Sequence, residues 1–265
     1  MARTANDCIL ATARLLKNYR EGTSTSAGST TTLIDSNLTY PGGYLVGGTI
    51  FFISGTLAGK SAVITAYNAE TYTVGFATQT AAAASGIVYG VIPPDIPRGV
   101  LISSLNHALL ELGPFITVDD TLDADTDVEE YTLPTGVSNV LRVEEAQTDS
   151  EPYQWKRNFF WREINGELIF DPDKAPSNDG YAIRLWYAAP HGAIDADADD
   201  VTEQVSMTLL AWTTAVYALL WRLNRVGNDD QIAAEMLNNA KQEALMAKMR
   251  TPVRRMNRDP KLTGY

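Results

Sequence analysis

The hydrophobic pattern of the chain alternates between helix-like and strand-like stretches. Ile9, Ala13 and Leu16 recur at the spacing of one helix face, and Thr4 or Asn6 stands before them as a candidate N-cap. This pattern predicts an N-terminal helix within residues 1–20. It stops at a Gly/Ser/Thr-rich run, so the first helical segment is short and must find its packing partners elsewhere in the chain.

Residues 21–95 follow a strand pattern. Six short runs are separated by turn signals rich in glycine, and they span residues 33–34, 44–46, 49–53, 62–67, 72–76 and 87–92. Between residues 23 and 94 the only charged residues are Asp35, Lys60 and Glu70. The spacing predicts a small antiparallel barrel or sandwich inserted into a helical framework.

Helical and strand patterns then alternate once more. Pro97 suits the first turn of a helix, and Gly113-Pro114 ends the apolar stripe that follows, which predicts a core helix within residues 96–118. Six further runs predict an antiparallel β region within residues 119–192: 130–133, 140–144, 153–155, 161–164, 167–170 and 182–187. Asn165-Gly166 is a strong hairpin signal, because both residues tolerate positive φ.

The last helical segment, residues 193–249, begins with an acidic linker, and Asp200 or Thr202 is its expected N-cap. Its apolar residues alternate at spacings of four and three, which predicts close packing along one line: Val205, Leu209, Trp212, Val216, Leu219, Leu223 and Val226. Asn228 is expected to cap a final helix that Pro252 ends. The fold class predicted is α+β, with a discontinuous helical bundle core, an inserted small antiparallel β-barrel or sandwich and a second β-sheet or hairpin region.

Composition argues against several classes of protein, among them nucleic-acid-wrapping, disulfide-linked and membrane proteins. A net charge of −11 over 265 residues argues against a protein that wraps nucleic acid by neutralising phosphates. Cys8 is the single cysteine, which excludes an intrachain disulfide. The start does not resemble a signal peptide, and the longest apolar run, residues 207–221, falls short of the ~20 residues that cross a bilayer. We expect a soluble protein that is not exported and does not enter a membrane.

Two motifs resemble ligand sites but lack key residues. Gly55 to Ser61 has three residues between its glycines where a phosphate-binding P-loop has four, and a strand pattern follows, so a hairpin turn is the better interpretation. The acidic runs at residues 123–127 and 195–199 lack the glycine and glutamate of a calcium-binding EF-hand. A solvated acidic linker is favoured for residues 195–200, with a weak calcium site left open. His107 and His191 lack paired ligands or catalytic partners, so we expect no enzyme and no cofactor.

Aromatic residues concentrate in the second β region. Trp155, Trp161 and Trp186 lie there with Tyr153, Phe159, Phe160, Tyr181 and Tyr187. Because aromatic side chains dominate both sheet cores and protein interfaces, these two roles are favoured over an aromatic ligand site.

The C-terminal segment reverses the charge of the chain. From residue 241 onward, seven basic residues stand against Glu243 and Asp259. Residues 250–265 are expected to be a flexible basic tail that folds when it binds DNA or an acidic or cleft-bearing protein. The partner-binding residues predicted in this tail are Arg250, Arg254, Arg255, Arg258, Lys261 and Tyr265.

Several segments together resemble the head-to-tail adaptor proteins of tailed bacteriophages, also called connector or neck proteins. The helix over residues 102–109 looks like the one that opens their core, and residues 130–134 and 140–144 look like their paired strands. Residues 161–170 and 183–187 look like the hairpin and the strand before the final helices. The insert at residues 21–95 departs from the compact adaptor pattern and looks like small β modules common on virion proteins.

The resemblance implies a structural protein of the virion neck, assembled in the host cytoplasm. It implies a ring, usually of twelve copies, that binds the portal and joins tail or other neck proteins. Genomic DNA would pass through the channel without specific binding, and the basic tail would attach to the portal. The alternatives are another neck or tail structural protein, a virion protein that binds the host surface through its β insert, and an enzyme.

Overall fold

A computed structural model describes residues 3–125, 128–148, 151–176, 178–226 and 230–251. The fold is mixed α/β, with antiparallel sheets and four α-helices in this described part. The helices are α1 (Ala5–Leu15), α2 (Arg98–Leu112), α3 (Met207–Val226) and α4 (Gln231–Arg250). The described residues form two compact units: the first comprises those up to Leu112 and from Gly192 onward, and the second those within Gly113–His191.

Helix α1 begins at a capping box. The Asp7 backbone N–H donates to the Thr4 hydroxyl at 3.3 Å, and the Thr4 N–H donates to the Asp7 carboxylate at 3.0 Å. Two N–H groups that lack a partner within the helix are thereby satisfied. Thr4 is therefore the N-cap, and Asn6, the other candidate, is a buried residue of the first turn.

The inserted region forms a half-barrel of six antiparallel strands. They are β1 (Arg20–Thr23), β2 (Thr32–Ile34), β3 (Thr49–Phe52), β4 (Lys60–Asn68), β5 (Thr73–Phe76) and β6 (Val88–Ile92), paired in the order β1-β6-β3-β4-β5-β2. An isolated bridge links Ser26, just after β1, to Ile34 of β2, so the chain that follows one edge strand contacts the other. The side chains of Leu33, Phe52 and Tyr89 lie in the hydrophobic core of this unit.

Five of the six strands predicted in this region are confirmed, and one is wrong. Residues 44–46 form a turn, because Gly43 and Gly47 on either side have positive φ, which interrupts an extended strand. The sixth strand is instead β1, which pairs with β6. Its sequence, Arg-Glu-Gly-Thr, has no apolar alternation, so its strand structure depends on this pairing alone.

Two predicted turns have a clear structural reason. The Gly55 to Ser61 segment connects β3 to β4 as a hairpin, and Gly55 and Gly59 have φ of 78° and 80°. Gly48 lies where the chain passes very close to its neighbours: a Cβ there would stand 2.3 Å from the Ile92 carbonyl oxygen and 2.9 Å from that of Leu45. No side chain fits between these backbone atoms.

Of the three later helices, α2 begins as predicted, and α3 and α4 have other caps than the predicted ones. The Pro97 carbonyl accepts from the Val100 and Leu101 N–H groups at the start of α2, as its N-terminal position predicted. Helix α3 begins at Ser206, whose hydroxyl accepts from the Leu209 N–H at 3.2 Å, so Asp200 and Thr202 are not its cap. Asp230 caps α4, and the predicted cap Asn228 lies outside the described residues.

Helix α3 contacts α1, α2 and α4. Of the predicted seam, Val205, Leu209 and Leu219 are buried, and Trp212, Val216 and Leu223 are half-buried. The side chain of Val226 lies outside the described residues. Further buried residues, such as Leu210 and Thr214, lie on other faces of the helix. Because three helices pack around α3, its burial extends beyond the single line that the spacing predicted.

The acidic segment before α3 joins the half-barrel to the helices. Asp197 accepts from the Ser61 N–H of β4 at 2.7 Å and from the Ser61 hydroxyl at 2.8 Å. The Arg98 guanidinium of α2 donates to the same carboxylate at 2.6 Å. The Asp197 carbonyl also accepts from the Asn6 N–H of α1 at 3.0 Å. The prediction of a solvated linker is wrong at this residue, because its carboxylate and carbonyl bind three elements.

The second unit contains two antiparallel sheets. Its strands are β7 (Phe115–Asp123), β8 (Glu130–Thr132), β9 (Val140–Ala146), β10 (Trp155–Asn158), β11 (Trp161–Ile164), β12 (Glu167–Phe170) and β13 (Ala182–Ala189). A four-stranded sheet has the order β10-β9-β13-β7, and a three-stranded sheet has the order β11-β12-β8. Val143, Leu168 and Leu185 belong to one hydrophobic core formed by residues of both sheets.

The predicted hairpin of this unit is confirmed and one predicted pairing is wrong. Asn165 and Gly166 connect β11 to β12 with φ of 53° and 83°. The segments 130–134 and 140–144 were expected to pair, but β8 pairs with β12 while β9 pairs with β10 and β13. The predicted strand at 153–155 lies further on, at β10. Strand β7 was missed because residues 115–118 were assigned to the core-helix segment 96–118. Helix α2 ends at Leu112, and Phe-Ile-Thr-Val begins the strand, whose later part is exposed and rich in aspartate.

We predict that Gly48→Ala destabilises the protein by roughly 1–3 kcal/mol, because the new Cβ must displace backbone atoms. Gly42→Ala is the matched control. A Cβ at Gly42 meets nothing within 4 Å, and its φ is ordinary, so its effect should stay within about 0.5 kcal/mol. Urea unfolding followed by tryptophan fluorescence measures both. Equal stability of the two variants would contradict the close approach at Gly48.

We predict that Asp197→Ala lowers the free energy of unfolding by roughly 1.5–3 kcal/mol, since the hydrogen bonds to Ser61 are lost and Arg98 loses its carboxylate partner. Asp195→Ala, at an exposed position of the same segment, is the control and should cost about 0.5 kcal/mol or less. In a double-mutant cycle, Asp197→Ala with Arg98→Ala should cost less than the sum of the single changes. Additive effects would contradict the coupling.

Candidate functional site

The structure separates the aromatic residues of the second β region into two groups. Trp161 is only 5% exposed and belongs to the hydrophobic core. Trp155 and Trp186 are half-buried and lie on the face of the four-stranded sheet that points away from this core. The tryptophans that sequence reasoning grouped together therefore have two different roles.

Charged and aromatic side chains alternate on this outer face. In the strand register, Arg157 of β10 is opposite Glu144 of β9, which is opposite Arg184 of β13. Arg142 is opposite Trp186 in the neighbouring row, and Trp186 is opposite Val118. We call this surface the arginine–tryptophan face; it comprises Val118, Asp120, Arg142, Glu144, Trp155, Arg157, Arg184 and Trp186.

The guanidinium groups on the face stack on the aromatic rings. The Arg184 Cζ lies 3.8 Å from the centre of the Trp155 ring, and the Arg142 Cζ lies 5.7 Å from that of Trp186. Each stacked pair contributes about 0.5–2 kcal/mol by attraction of the cation to the ring. Arginine suits this role because its planar, weakly hydrated group stacks well.

Carboxylates complete the network. Trp186 Nε1 donates to Glu144 Oε2 at 2.9 Å, and Arg142 Nη1 lies 3.4 Å from Glu144 Oε1. Arg184 Nη2 donates to Asp120 Oδ2 at 3.1 Å. The contacts hold the side chains in one arrangement, so a partner would meet an ordered surface at low entropic cost.

Tryptophan and arginine are the residues most enriched at the energetic centres of protein interfaces. The face also ends in apolar residues, since Val118 is 40% exposed and Phe159, just beyond β10, is 42% exposed. The surface is therefore suited to contact with another protein.

A small cavity lies at the three-stranded sheet. Its volume is about 240 Å³, and its lining includes Phe160, Trp161, Arg162, Phe170 and Asp171. The Lys174 Nζ lies 5.9 Å from the centre of the Phe160 ring. The lining thus combines aromatic, basic and acidic side chains.

Of the predicted partner-binding residues, the structure places one. Arg250 is exposed at the end of α4, and Arg254, Arg255, Arg258, Lys261 and Tyr265 lie outside the described residues. Apolar side chains precede Arg250 on the same helix and are exposed, Met249 at 73% and Leu245 at 60%. The C-terminal end of α4 thus presents apolar surface next to the basic segment.

The residues considered for ligand chemistry have structural surroundings. The His107 ring stacks on Tyr217 with centroids 5.4 Å apart, and the His191 ring meets Phe115 edge-on at 6.1 Å. Burial raises the pKa of the Cys8 thiol to about 12. Within the ranges that the structure describes, no group of three or more His, Cys, Asp or Glu side chains is placed to hold a metal ion.

Sequence reasoning missed the arginines of the face. The signal that could have found them is the period of two in Trp155-Lys-Arg157, Arg142-Val-Glu144 and Arg184-Leu-Trp186, which places each pair on one side of a strand. The tryptophans by themselves do not show the alternation, because the arginines and the glutamate complete it. The partners across strands depend on register, which the sequence does not reveal.

Comparison with known proteins adds no assignment. No known protein family matches the chain, and no curated protein is significantly similar to it in sequence. Among the described residues, no helix is both long and apolar enough to span a membrane.

We predict that Trp161→Ala destabilises the protein by about 3–5 kcal/mol, because it empties a packed core position. Trp155→Ala should cost about 1 kcal/mol, since it removes one stacked arginine contact on an outer face. Urea unfolding followed by far-UV circular dichroism measures both changes. A larger loss for Trp155→Ala than for Trp161→Ala would contradict the separation of the two groups.

Proposed function

We propose that the chain is a structural virion protein, a head-to-tail adaptor that forms a ring between the portal and the tail of a bacteriophage. In this proposal α1 to α4 form a discontinuous helical bundle that carries the half-barrel and the second β region. The protein acts by contact and performs no catalysis. The observation that carries the proposal is the arginine–tryptophan face, an ordered surface built from residues typical of protein interfaces.

Charge supports the same role. A chain with a net charge of −11 repels the phosphate backbone, so DNA can pass a channel built from many copies without being held. The basic segment at residues 250–265 is the exception, and it follows the exposed apolar side chains of α4. We assign portal attachment to this segment, through Arg250, Arg254, Arg255, Arg258, Lys261 and Tyr265.

A second candidate function is recognition of a host surface through the half-barrel. Tyr44 is 44% exposed and stacks on Tyr40 at 5.2 Å, an arrangement that can receive a sugar ring. Glycan-array binding by the full chain, lost in Tyr44→Ala but kept in Tyr72→Ala, would favour this role. Tyr72 is the control because it is also exposed, at 37%.

We predict that deleting residues 250–265 preserves the fold but abolishes binding to the portal protein of the same phage. A matched variant replaces the five basic residues of the segment by glutamine, keeping its length, and should lose most of the affinity because the charge is removed. Copurification with the portal and cryo-electron microscopy of the virion measure attachment and position. Normal portal binding by the truncated chain would contradict the role assigned to the basic tail. A position of the protein outside the virion neck would contradict the adaptor proposal.

A further inference from the structure

The four-stranded sheet of the second unit has two edges, β10 and β7. In the described part of the chain, β10 pairs only with β9, and β7 pairs only with β13. An edge strand presents backbone N–H and C=O groups that can pair with another chain. Strand β7 is nine residues long, enough to offer a full edge to a partner strand.

The two edges carry opposite charge. Strand β7 has Asp119, Asp120 and Asp123 and no basic residue, whereas β10 has Lys156 and Arg157 and no acidic residue. The basic edge is unusual in its surroundings, because residues 113–191 contain 16 acidic and 6 basic residues, a net charge of −10. The acidic β7 edge and the basic β10 edge are therefore complementary in charge.

The same charge complementarity occurs among side chains that lie opposite one another across the strands of the outer face. One row runs from Arg157 through Glu144 and Arg184 to the Asp120 carboxylate, so its charges alternate from a cation at the β10 edge to an anion at the β7 edge. A second copy placed beside the first would continue the alternation, with Asp120 next to Arg157. Arg157 has contacts in its own unit, but a guanidinium offers five donors and can accept a further carboxylate.

Strand direction fits the same contact. All neighbouring strands of this sheet are antiparallel, so β10 and β7 run in opposite directions at its two edges. A second copy in the same orientation therefore brings its β10 antiparallel to β7 of the first. No strand has to reverse, and the sheet continues from copy to copy.

Pairing of identical edges is disfavoured. Two β7 strands would place aspartates against aspartates, and two β10 strands would place basic residues against basic residues. Charges are one means by which proteins prevent unwanted edge pairing. Repulsion between like charges thus makes β10, with its lysine and arginine, the favoured partner of β7.

We infer that β10 of one copy pairs with β7 of a second copy of this chain. Such a contact joins two different surfaces, and a repeated contact of this kind generates a ring when the rotation closes. The inference names the contact for the assembly proposed above and rests on that proposal. Electrostatic complementarity would set the orientation of neighbouring copies.

Two charge-reversed variants test the contact. Lys156→Glu with Arg157→Glu makes both edges acidic, and Asp120→Lys with Asp123→Lys makes both edges basic. Each variant alone should assemble poorly, with the concentration for half-assembly raised roughly 10- to 100-fold by like charges at the contact. An equimolar mixture should assemble again, because each acidic edge then meets a basic one. Mass photometry and negative-stain electron microscopy measure the assemblies.

Recovery in the mixture also shows that both variants are folded. The matched controls are Arg162→Glu and Glu167→Lys, which make similar charge changes at exposed positions of the three-stranded sheet and should assemble as the wild type does. The inference is overturned if the edge variants assemble normally. It is also overturned if the mixture stays monomeric while circular dichroism shows both variants to be folded.

A truncated chain without residues 250–265 separates this contact from the basic tail. It should assemble as the wild type does, and loss of assembly on truncation but not in the edge variants would show that assembly depends on the tail rather than on β10. A ring that survives the edge variants overturns this contact and leaves the adaptor proposal standing. A chain that binds the portal but is monomeric with and without it overturns both this contact and the proposed ring, whereas edge-dependent rings located outside the neck overturn the adaptor alone.

Discussion

The architecture of the first unit depends on one carboxylate. Asp197 is bound by Ser61 of β4 and Arg98 of α2, which are 136 and 99 residues away in sequence. Its carbonyl accepts an N–H from the first turn of α1, a group that has no partner inside the helix. The same short segment therefore caps one helix and holds the half-barrel against another.

The second unit is organised by the alternation of side chains along its strands. One side of the four-stranded sheet supplies Val143, Ile183 and Leu185 to the core, and the other carries arginine, tryptophan and carboxylate groups. Because a one-residue shift in register would exchange these faces, the core fixes the arginine–tryptophan face indirectly. Its order comes from stacking and ion pairs between strands, which are the ordinary means of stabilising a solvent-facing sheet.

Interaction surfaces of this kind favour specificity over raw affinity. Partly exposed ion pairs contribute little to stability, yet opposite charges select the partner and its orientation. An acidic protein with a basic strand edge and a basic C-terminal segment therefore has few ways to join copies of itself or a second protein. This restriction suits a component whose proposed task is to hold a fixed place among larger proteins.

The sequence by itself determined the main helices, most strands and the turns at Asn165-Gly166 and Gly55 to Gly59, because periodicity and turn chemistry are local properties. Only the tertiary structure decided strand β1, which has no apolar alternation, the extent of β7 over its aspartate-rich half, and the pairing of β8 with β12. The contacts of Asp197 with β4, α2 and α1, and the stacking of arginines on tryptophans in the arginine–tryptophan face, are likewise visible only in the tertiary structure. The partners of these side chains lie on other strands or far away in the chain, and register and long-range contact are set by the packing of whole elements.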